Sequence, residues 1–434
     1  MRYRSCFACA ALLLTALLDP AQAQAQPATD TIKRILDNAG YQAAVATLDR
    51  EHERIVNDII AFTEIEAPPF REEQRAKAYL AQLKAHGLAD VEMDAEGNVM
   101  GLRPGTGGGP LIVMSAHLDT VFPAGTNVKV RRDGTKLFAP GIGDDSRALA
   151  VLLGYIRAMD VAQIQTTADI LFVGTVGEEG LGDLRGVRYL FTKGRYKDKV
   201  KAFVSMDGLS PARLVNGAVG SKRYRVTFKG PGGHSYSAFG LVNPAFALAE
   251  AISLFSRIQV PAKPKTTFSV GVIGGGTSVN AIPNELWMEV DMRSESPAAL
   301  AVVEKRLIEI VGQATATENT ARSVKEGPIK AEIKLIGDRP AGETDPQSDL
   351  VMLATAAVMA HGYKPAATPY PFLAFSSTDS NVPISLGIPA LTIGSGGKGD
   401  RAHSLDEWID VEQSESVKGM SVGLTILLAA AGMK

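Results

Sequence analysis

The chain has 434 residues, of which 45% are apolar and 21% charged, which is enough for two ordinary domains with their own cores. Its formal net charge is -2, and no stripe of lysine and arginine with interleaved aromatic residues occurs. This composition excludes a disordered chain and argues against a nucleic-acid partner, since binding nucleic acid requires a basic surface.

The N-terminus has the pattern of an export signal. Arg2 and Arg4 precede an apolar run and small residues follow it, so we expect residues 1–25 to be removed by cleavage after Ala23 or Ala25. No later segment reaches the ~20 apolar residues that a membrane-spanning helix needs. We therefore expect an exported protein, periplasmic or secreted, without a membrane partner.

The only two cysteines, Cys6 and Cys9, lie inside this leader. The mature protein therefore has neither disulfides nor thiolate ligands, although it would pass into an oxidising compartment. Any metal site must use histidine, aspartate and glutamate.

After the leader, apolar residues at helical spacing run through residues 31–64 and 72–87, separated by the prolines of "EAPPF". Strands and helices then alternate: "LIVMSAH" predicts a buried strand, "SRALAVLLGYIRAM" a helix and "ADILFVGTVGEEG" a strand. This alternation predicts an α/β domain with a mostly parallel sheet and helices on both faces.

The pattern changes near residue 215, where the half-exposed strand "SKRYRVTFKG" begins a stretch of strands and one helix. We interpret residues 215–327 as a smaller α+β domain inserted into the first one. Strand and helix alternation then returns, so the domain that begins at residues 26–214 is expected to resume over residues 328–434.

Three of the predicted strands stop at side chains that commonly bind metals. They are followed or ended by His117, by Glu178 and Glu179, and by Asp207. In open α/β sheets, ligands bind outside the carboxyl ends of the strands. The motif "GIGDDSRALA" adds Asp144 and Asp145 at the start of a helix, and a glycine-rich loop leads to His403.

These side chains predict a pair of divalent cations. Zn²⁺ is the simplest choice for imidazole and carboxylate ligands, and Co²⁺ or Mn²⁺ can occupy the same set. Two metals ~3.5–4 Å apart need a shared bridging carboxylate, and one acid must stay unligated to act as the base.

Each motif alone also has an ordinary structural interpretation. "HLD" at a strand end is usually a loop histidine, "GDD" an N-cap, and "GEEG" a solvated turn. His234 can be a turn residue, and Asn280 and Arg293 can cap and solvate a strand. His52, His86 and His361 lie in polar helical contexts and are expected at the surface. The joint placement of the acids and histidines at strand ends favours the metal site.

The motifs "SAHLDTV", "GIGDDS", "GEEG", "SMDG", "GPGGHS", "GGTSVNAIP" and "AHSLDEW" occur in this order along the chain. Together they resemble the co-catalytic zinc peptidases, which include peptidase T, carboxypeptidase G, aminoacylase and succinyl-diaminopimelate desuccinylase. The resemblance covers nearly the whole mature chain. It implies a zinc-binding catalytic domain interrupted by a smaller lid or dimerisation domain.

The resemblance also implies roles for individual residues. The implied ligand set is His117, Asp144 and Asp207 for one metal and Asp144, Glu179 and His403 for the other. Asp144 is then the bridge, Glu178 the general base, and Asp119 the residue that orients His117.

In the lid, the resemblance implies that His234 stabilises the oxyanion, in many members from the partner subunit of a homodimer. Asn280 and Arg293 match positions that bind the substrate. A guanidinium suits a terminal carboxylate, and a tetrahedral intermediate needs an additional donor.

Two departures bear on the substrate. Many relatives follow the bridging acid with "DK", whereas this chain has Asp145, Ser146 and Arg147, so the helix start is expected to contact substrate differently. Asp207 and the "FSSTDSN" motif around Asp379 resemble the peptidase T side of the family, where a free α-amine is recognised.

The sequence therefore predicts an exported di-zinc aminopeptidase or dipeptidase acting on short peptides. An N-acyl amino acid deacylase or a glutamate-type carboxypeptidase is the alternative within the family. A metal-dependent binding protein that does no chemistry is the alternative outside it.

Overall fold

The computed structural model describes residues 20–365 and 372–434. The predicted leader lies outside this part of the chain except for residues 20–25, which begin the first helix, so export stays a prediction. Within the described ranges, no helix is both long and apolar enough to cross a membrane.

From residue 20 onwards, four helices precede the first strand, and they lie over both stretches of predicted helical spacing, residues 31–64 and 72–87. They are α1 (Pro20–Leu36), α2 (Ala39–Arg50), α3 (His52–Thr63) and α4 (Glu73–Ala85). The side chain of Asn38 caps α2 by accepting two backbone N–H groups of its first turn. On α3, Ile55, Ile59 and Phe62 recur at helical spacing and are buried in the main core. His52 lies on this same face, three residues before Ile55, and is buried, so the expectation of a surface residue is wrong.

After these four helices, the first part of the catalytic domain continues with eight strands and two further α-helices. They are β1 (Ala89–Met93), β2 (Val99–Arg103), β3 (Leu111–His117), β4 (Arg131–Asp133), β5 (Lys136–Phe138), α5 (Arg147–Val161), β6 (Asp169–Thr175), α6 (Arg185–Thr192), β7 (Val200–Met206) and β8 (Leu214–Ala218). All seven residues of β3 are buried. Ile112 and Met114 pack into the core that contains α5, and Val113 packs into the core that contains α6. Helices therefore cover both faces of the sheet, as predicted.

The inserted unit spans Gly220–Arg339, and we call it the lid. Its elements are β9 (Gly220–Lys229), β10 (Gly233–His234), α7 (Pro244–Phe255), β11 (Thr266–Gly275), β12 (Ala281–Ile282), β13 (Glu285–Ser294), α8 (Pro297–Ala321) and β14 (Lys330–Arg339). The antiparallel sheet has the order β11-β13-β9-β14, and Tyr224, Val226 and Phe228 face a core shared with α7 and α8. The last strand, β14, lies beyond residue 327, where the sequence places the end of this domain.

The catalytic domain resumes with β15 (Gly342–Glu343), α9 (Asp349–Ala360), β16 (Leu373–Ser376), α10 (Asn381–Ser385), β17 (Ala390–Ile393), β18 (Lys398–Asp400), β19 (Trp408–Asp410) and α11 (Gln413–Ala431). The central sheet has the order β1-β2-β6-β3-β7-β17-β8-β15, with β16 paired to β8. Its four middle strands, β6, β3, β7 and β17, are parallel, which confirms the predicted fold class. His361, expected at the surface, is instead half-buried at the end of α9, where Nε2 lies 2.9 Å from the hydroxyl of Thr425.

The parallel strands determine where the site forms. β3 ends at His117, the loop after β6 carries Glu178 and Glu179, and Asp207 directly follows β7. Because these three strands are parallel neighbours, their carboxyl ends meet at one edge of the sheet. The loop between β18 and β19 brings His403 to the same edge.

Candidate metal centre

His117 is buried, and both of its ring nitrogens have partners. Nδ1 lies 3.0 Å from the backbone carbonyl oxygen of Asp119, and Nε2 lies 2.9 Å from Oδ1 of Asp144. A ring whose Nδ1–H donates to a carbonyl presents Nε2 as the metal ligand. Asp119 therefore orients His117 through its backbone carbonyl group, since the carboxylate oxygen Oδ1 of Asp119 lies 3.7 Å from Nδ1 of His117.

The carboxylate of Asp119 has a different function in the structure. Its two oxygens accept the backbone N–H groups of Glu178 and Glu179, at 3.0 and 2.8 Å. Asp119 is fully buried, so these bonds are shielded from water. One residue thus fixes both the histidine at the end of β3 and the acidic loop after β6.

Asp144 has the geometry of a bridging ligand. Its Oδ1 faces Nε2 of His117 at 2.9 Å and its Oδ2 faces Nε2 of His403 at 3.1 Å. His403 also lies 3.0 Å from Oε1 of Glu179. Each oxygen of Asp144 is thus directed at a different histidine, as a carboxylate shared by two metals requires.

In the part of the chain that the structure describes, two sets of side chains bring their ligand atoms within 4.8 Å of one another. One contains His117, Asp144 and Glu179, and the other contains His117, Asp145 and Asp207. Asp145 is not among the predicted ligands. One of its oxygens accepts the backbone N–H of His117 at 3.0 Å, and the other is buried without a hydrogen-bond partner.

The charges of this cluster fit divalent cations. Hydrogen bonds to Asp144 and Glu179 raise the pKa of His403 to about 10, and burial with the neighbouring acids raises the pKa of Asp207 to about 7. These protons partly neutralise the negative charge of the clustered carboxylates. Divalent cations that bind here would displace the protons and neutralise the same charge. Imidazole and carboxylate ligands without thiols suit Zn²⁺, Co²⁺ or Mn²⁺.

Glu178, the predicted base, is buried and belongs to neither ligand set. The guanidinium of Arg339 donates through Nη1 to its Oε1 at 3.2 Å and through Nη2 to its backbone carbonyl. Burial raises the pKa of Glu178, and the charge of Arg339 opposes that rise. The sequence analysis did not identify Arg339, whose motif "GDRPAG" resembles an ordinary strand end and turn.

Glu407 is a second functional residue that the sequence analysis missed. It is buried, and its carboxylate accepts the backbone N–H groups of Gly141, Gly143 and Asp144 at 2.7–3.0 Å. Burial raises its pKa to about 7. Glu407 thus fixes the turn that carries the bridging acid. Its position inside the motif "AHSLDEW" is the signal that could have identified it.

A cleft of about 370 Å³ opens over the cluster and is lined by residues from both domains. Arg293, the predicted substrate-binding residue, lines it together with Arg223 and Arg339. Among the described residues that line this cleft, neither His234 nor Asn280 occurs. Both are exposed: His234 is in β10, and Asn280 directly precedes β12, the strand that pairs with β10.

Arg147 and Asp379, which belong to the two motifs that bear on the substrate, are both buried. Arg147 is 2% exposed and donates to the carbonyl of Gly396, so it supports the loop that leads to His403 and does not face the substrate. Asp379 is 1% exposed, and its Oδ2 lies 2.5 Å from the hydroxyl of Thr175. A carboxylate in this position is unavailable to a substrate amine.

Comparisons with known proteins agree with the motifs. The family model described as Peptidase family M20/M25/M40 matches residues 113–429. Carboxypeptidase G2 from Pseudomonas sp. is 28% identical over 240 residues, which cover 52% of this chain and 56% of that protein. The matches span 32–58% of the lengths of the curated relatives, less than two thirds of each.

Solved structures match over nearly their whole length. Aminopeptidase PepT from Bacillus cereus superposes with a TM-score of 0.69 at 22% identity, covering 88% of this chain and 99% of that one. The YXEP protein of Bacillus subtilis, a dinuclear metal-binding peptidase, has a TM-score of 0.62 at 17% identity and covers 88% and 99%. At these identities the likeness demonstrates the fold.

Metal retention tests the function of Glu407. Glu407→Gln places an amide opposite three backbone N–H donors, so we expect metal affinity to fall ~10–100-fold without loss of the fold. Asp144→Ala, which removes the shared ligand, should empty both metal positions together. Metal per chain is measured after dialysis against graded chelator.

Asp406→Asn is the matched control, because Asp406 is exposed and pairs with Arg401 at the surface. It should retain metals like the parent protein. Equal retention by the Glu407→Gln and Asp406→Asn proteins would contradict the assigned function of Glu407, and full-affinity retention of one metal by Asp144→Ala would contradict the bridge.

Proposed function

The chain belongs to peptidase family M20/M25/M40, and we propose that it hydrolyses amide bonds of short peptides with two divalent cations, most simply Zn²⁺. The observation that carries this proposal is the position of Glu178. Its carboxylate lines the cleft beside Glu179 and Asp207 but belongs to neither ligand set. A protein that only binds metal has no need of such an acid, which disfavours the non-catalytic alternative.

The cations and the protein side chains have different roles in the proposed reaction. Two divalent cations, when bound, would polarise the scissile carbonyl and lower the pKa of the attacking water towards ~7. Glu178 accepts a proton from the attacking water and delivers it to the leaving nitrogen as the amide bond breaks. Arg339 and Asp119 hold the side chain and backbone of Glu178 in one orientation.

The cleft favours substrates with a free carboxylate on the leaving side. Arg293 lines it with a side chain that is 42% exposed, and a guanidinium matches a carboxylate. Asp379, which the sequence suggested as a marker of α-amine recognition, is buried. We therefore favour a dipeptidase, with an aminopeptidase supported by the Asp207 pattern alone.

The same arginine supports a second candidate function. A deacylase of N-acyl amino acids, or a glutamate-type carboxypeptidase, also requires a free carboxylate and does not require an amine.

Export is a further part of the proposal, and the leader pattern of residues 1–25 supports it. If the protein is exported, N-terminal sequencing of the mature protein should find residue 24 or residue 26 as its first residue.

Glu178→Gln tests the base. The amide cannot accept the proton, so turnover should fall ~10²–10⁴-fold while both metals are retained, because Glu178 is not a ligand. Turnover of a dipeptide and metal per chain are measured on the same preparation. A rate near that of the parent protein, with metals retained, would show that another group acts as the base.

Blocked substrates decide which end is recognised. We compare one dipeptide with its N-acetylated and C-amidated forms on metal-loaded protein. C-amidation should lower kcat/KM more than N-acetylation, because the cleft arginines lose their charged partner. A larger loss from N-acetylation would restore the aminopeptidase prediction. If all three forms and a panel of N-acyl amino acids are inert, the proposed function is wrong.

We further propose that the lid mediates a homodimer. Tyr236, Phe239 and Val279, which lie close in sequence to the paired strands β10 and β12, are 87%, 90% and 103% exposed. A cluster of exposed apolar side chains of this kind is typical of an interface. His234 lies in this patch and outside the cleft of its own chain, which supports its donation to the partner's cleft.

Complementation tests this donation. Glu178→Gln and His234→Ala proteins should each be inactive, but a mixed dimer contains one cleft with Glu178 from one chain and His234 from the other. We expect mixing, after dissociation and reassociation, to restore activity. A protein that sediments as a fully active monomer, or the absence of restored activity in mixed dimers, would overturn the proposal.

A further inference from the structure

The loop after β6 folds back on itself before α6 begins. The backbone N–H of Leu184 donates to the carbonyl of Gly177, directly before Glu178, at 2.8 Å. Asp183 and Leu184 both have left-handed backbone conformations, with φ of 51° and 61°. This conformation is strained for a leucine and persists only where the surrounding structure holds it. Contacts around Asp183 and Leu184 must therefore keep this loop in shape.

The carboxylate of Asp183 reaches from the catalytic domain to the last strand of the lid. Both of its oxygens accept the backbone N–H of Asp338, on β14, at 3.1 Å. The carbonyl of Asp338 accepts from the guanidinium of Arg188, whose Nε also donates to the carbonyl of Asp183 at 2.9 Å. Both backbone groups of Asp338 are thus bound by the catalytic domain, which fixes this point of β14 relative to the loop.

The residue after Asp338 is Arg339, which contacts the proposed base. Its guanidinium donates to Oε1 of Glu178 at 3.2 Å and to the backbone carbonyl of Glu178. Glu178 and Asp183 belong to one loop, and their partners Arg339 and Asp338 are adjacent on one strand. The loop and the strand are therefore joined at two points. A displacement of Asp338 from Asp183 would also move the guanidinium that holds Glu178.

We propose that Asp183 is a positioning residue for hydrolysis. It holds the Asp338–Arg339 end of β14 on the loop after β6, and Arg339 in turn keeps the carboxylate of Glu178 directed into the cleft. Asp183 is not among the described residues that line the cleft, so we assign it no contact with substrate. The inference rests on the proposed function, because it concerns the orientation of the base in that reaction.

The same loop has separate anchors within the catalytic domain, so the replacement of Asp183 should not unfold it. Arg185 pairs with Glu72 at 2.7 Å and with Glu96 at 2.9 Å. Its side chain lies against Gly177, where a Cβ atom would be 2.6 Å from Cγ of Arg185. Loss of the Asp183 carboxylate should therefore displace the base in a protein that is still folded.

Asp183→Ala tests the inference on metal-loaded, full-length protein. It removes both acceptors of the Asp338 N–H, and we expect kcat to fall ~10–100-fold, since a misplacement of about 1 Å can have an effect of this size. KM and metal content should stay near those of the parent, because no substrate-binding group or metal ligand is replaced. Asp183→Asn keeps one oxygen that can accept the N–H and should retain most of the rate.

A double-mutant cycle distinguishes positioning of the base from a general loss of structure. If Asp183 acts through Glu178, Asp183→Ala should cause little further loss in the Glu178→Gln protein, which has no base to misplace. Losses that multiply, or an unchanged kcat in the Asp183→Ala protein, would overturn the inference. Asp198→Ala is the matched control, because it removes an exposed carboxylate of the same domain and should keep the rate of the parent.

Hydrogen exchange tests the contact without relying on hydrolysis. Peptides that span residues 178–184 and 334–340 should lose protection in the Asp183→Ala protein, while those of β3 keep the protection of the parent. If the parent hydrolyses no peptide but protection is lost at both segments, the contact is supported and the proposed function is refuted. If the parent is active and protection is unchanged, the proposed function is retained and the inference is overturned.

Discussion

The crowding of carboxylates at one edge of the parallel sheet is the constraint on which the rest of the site depends. β3, β6 and β7 are neighbours, so the acids that follow them are brought together whatever their charge. Like charges buried this closely repel unless cations or protons compensate. Asp144 relieves part of this repulsion by directing one oxygen at each ligand histidine. The ligand set and the need for metals are thus two results of one topology.

Buried arginines supply the remaining compensation without occupying ligand positions. Arg75 is fully buried and donates through Nη1 to the carbonyl of Leu118, between His117 and Asp119, at 2.9 Å. Arg339 donates to the carbonyl of Glu178 and Arg147 to that of Gly396. Each guanidinium is therefore bonded to the backbone of a loop that carries or leads to a site residue. Each of these arginine side chains therefore supplies a positive charge near the carboxylates and also holds a loop of the site in place.

The ligand positions could be predicted because they depend on local patterns. An apolar run that stops at His117 or Asp207 indicates that a strand ends there and that a polar residue follows it. In a parallel sheet, the polar residues at the carboxyl ends of neighbouring strands then lie close together. Arg339 and Glu407 could not be found in this way, since their partners lie 161 and at least 263 residues away along the chain. The expectation for His52 failed for a different reason: it was based on the polar neighbours of this residue, whereas the helical spacing of α3 places His52 three residues before Ile55, on the face that packs into the core.

The lid sheet contacts the loop after β6, which carries Glu178, through arginines on two of its strands. Arg339 at the end of β14 contacts Glu178, and Arg223 near the start of β9 contacts Gly180 two residues later. β9 and β14 are paired along their length, so these two contacts are held at a fixed spacing by the backbone hydrogen bonds of the sheet. Arg293 lies on β13, which pairs with β9, so a ligand bound by Arg293 would be held by the same sheet that orients Glu178. The backbone pairing of β13, β9 and β14 therefore links the position of Arg293 to that of Arg339, the partner of Glu178.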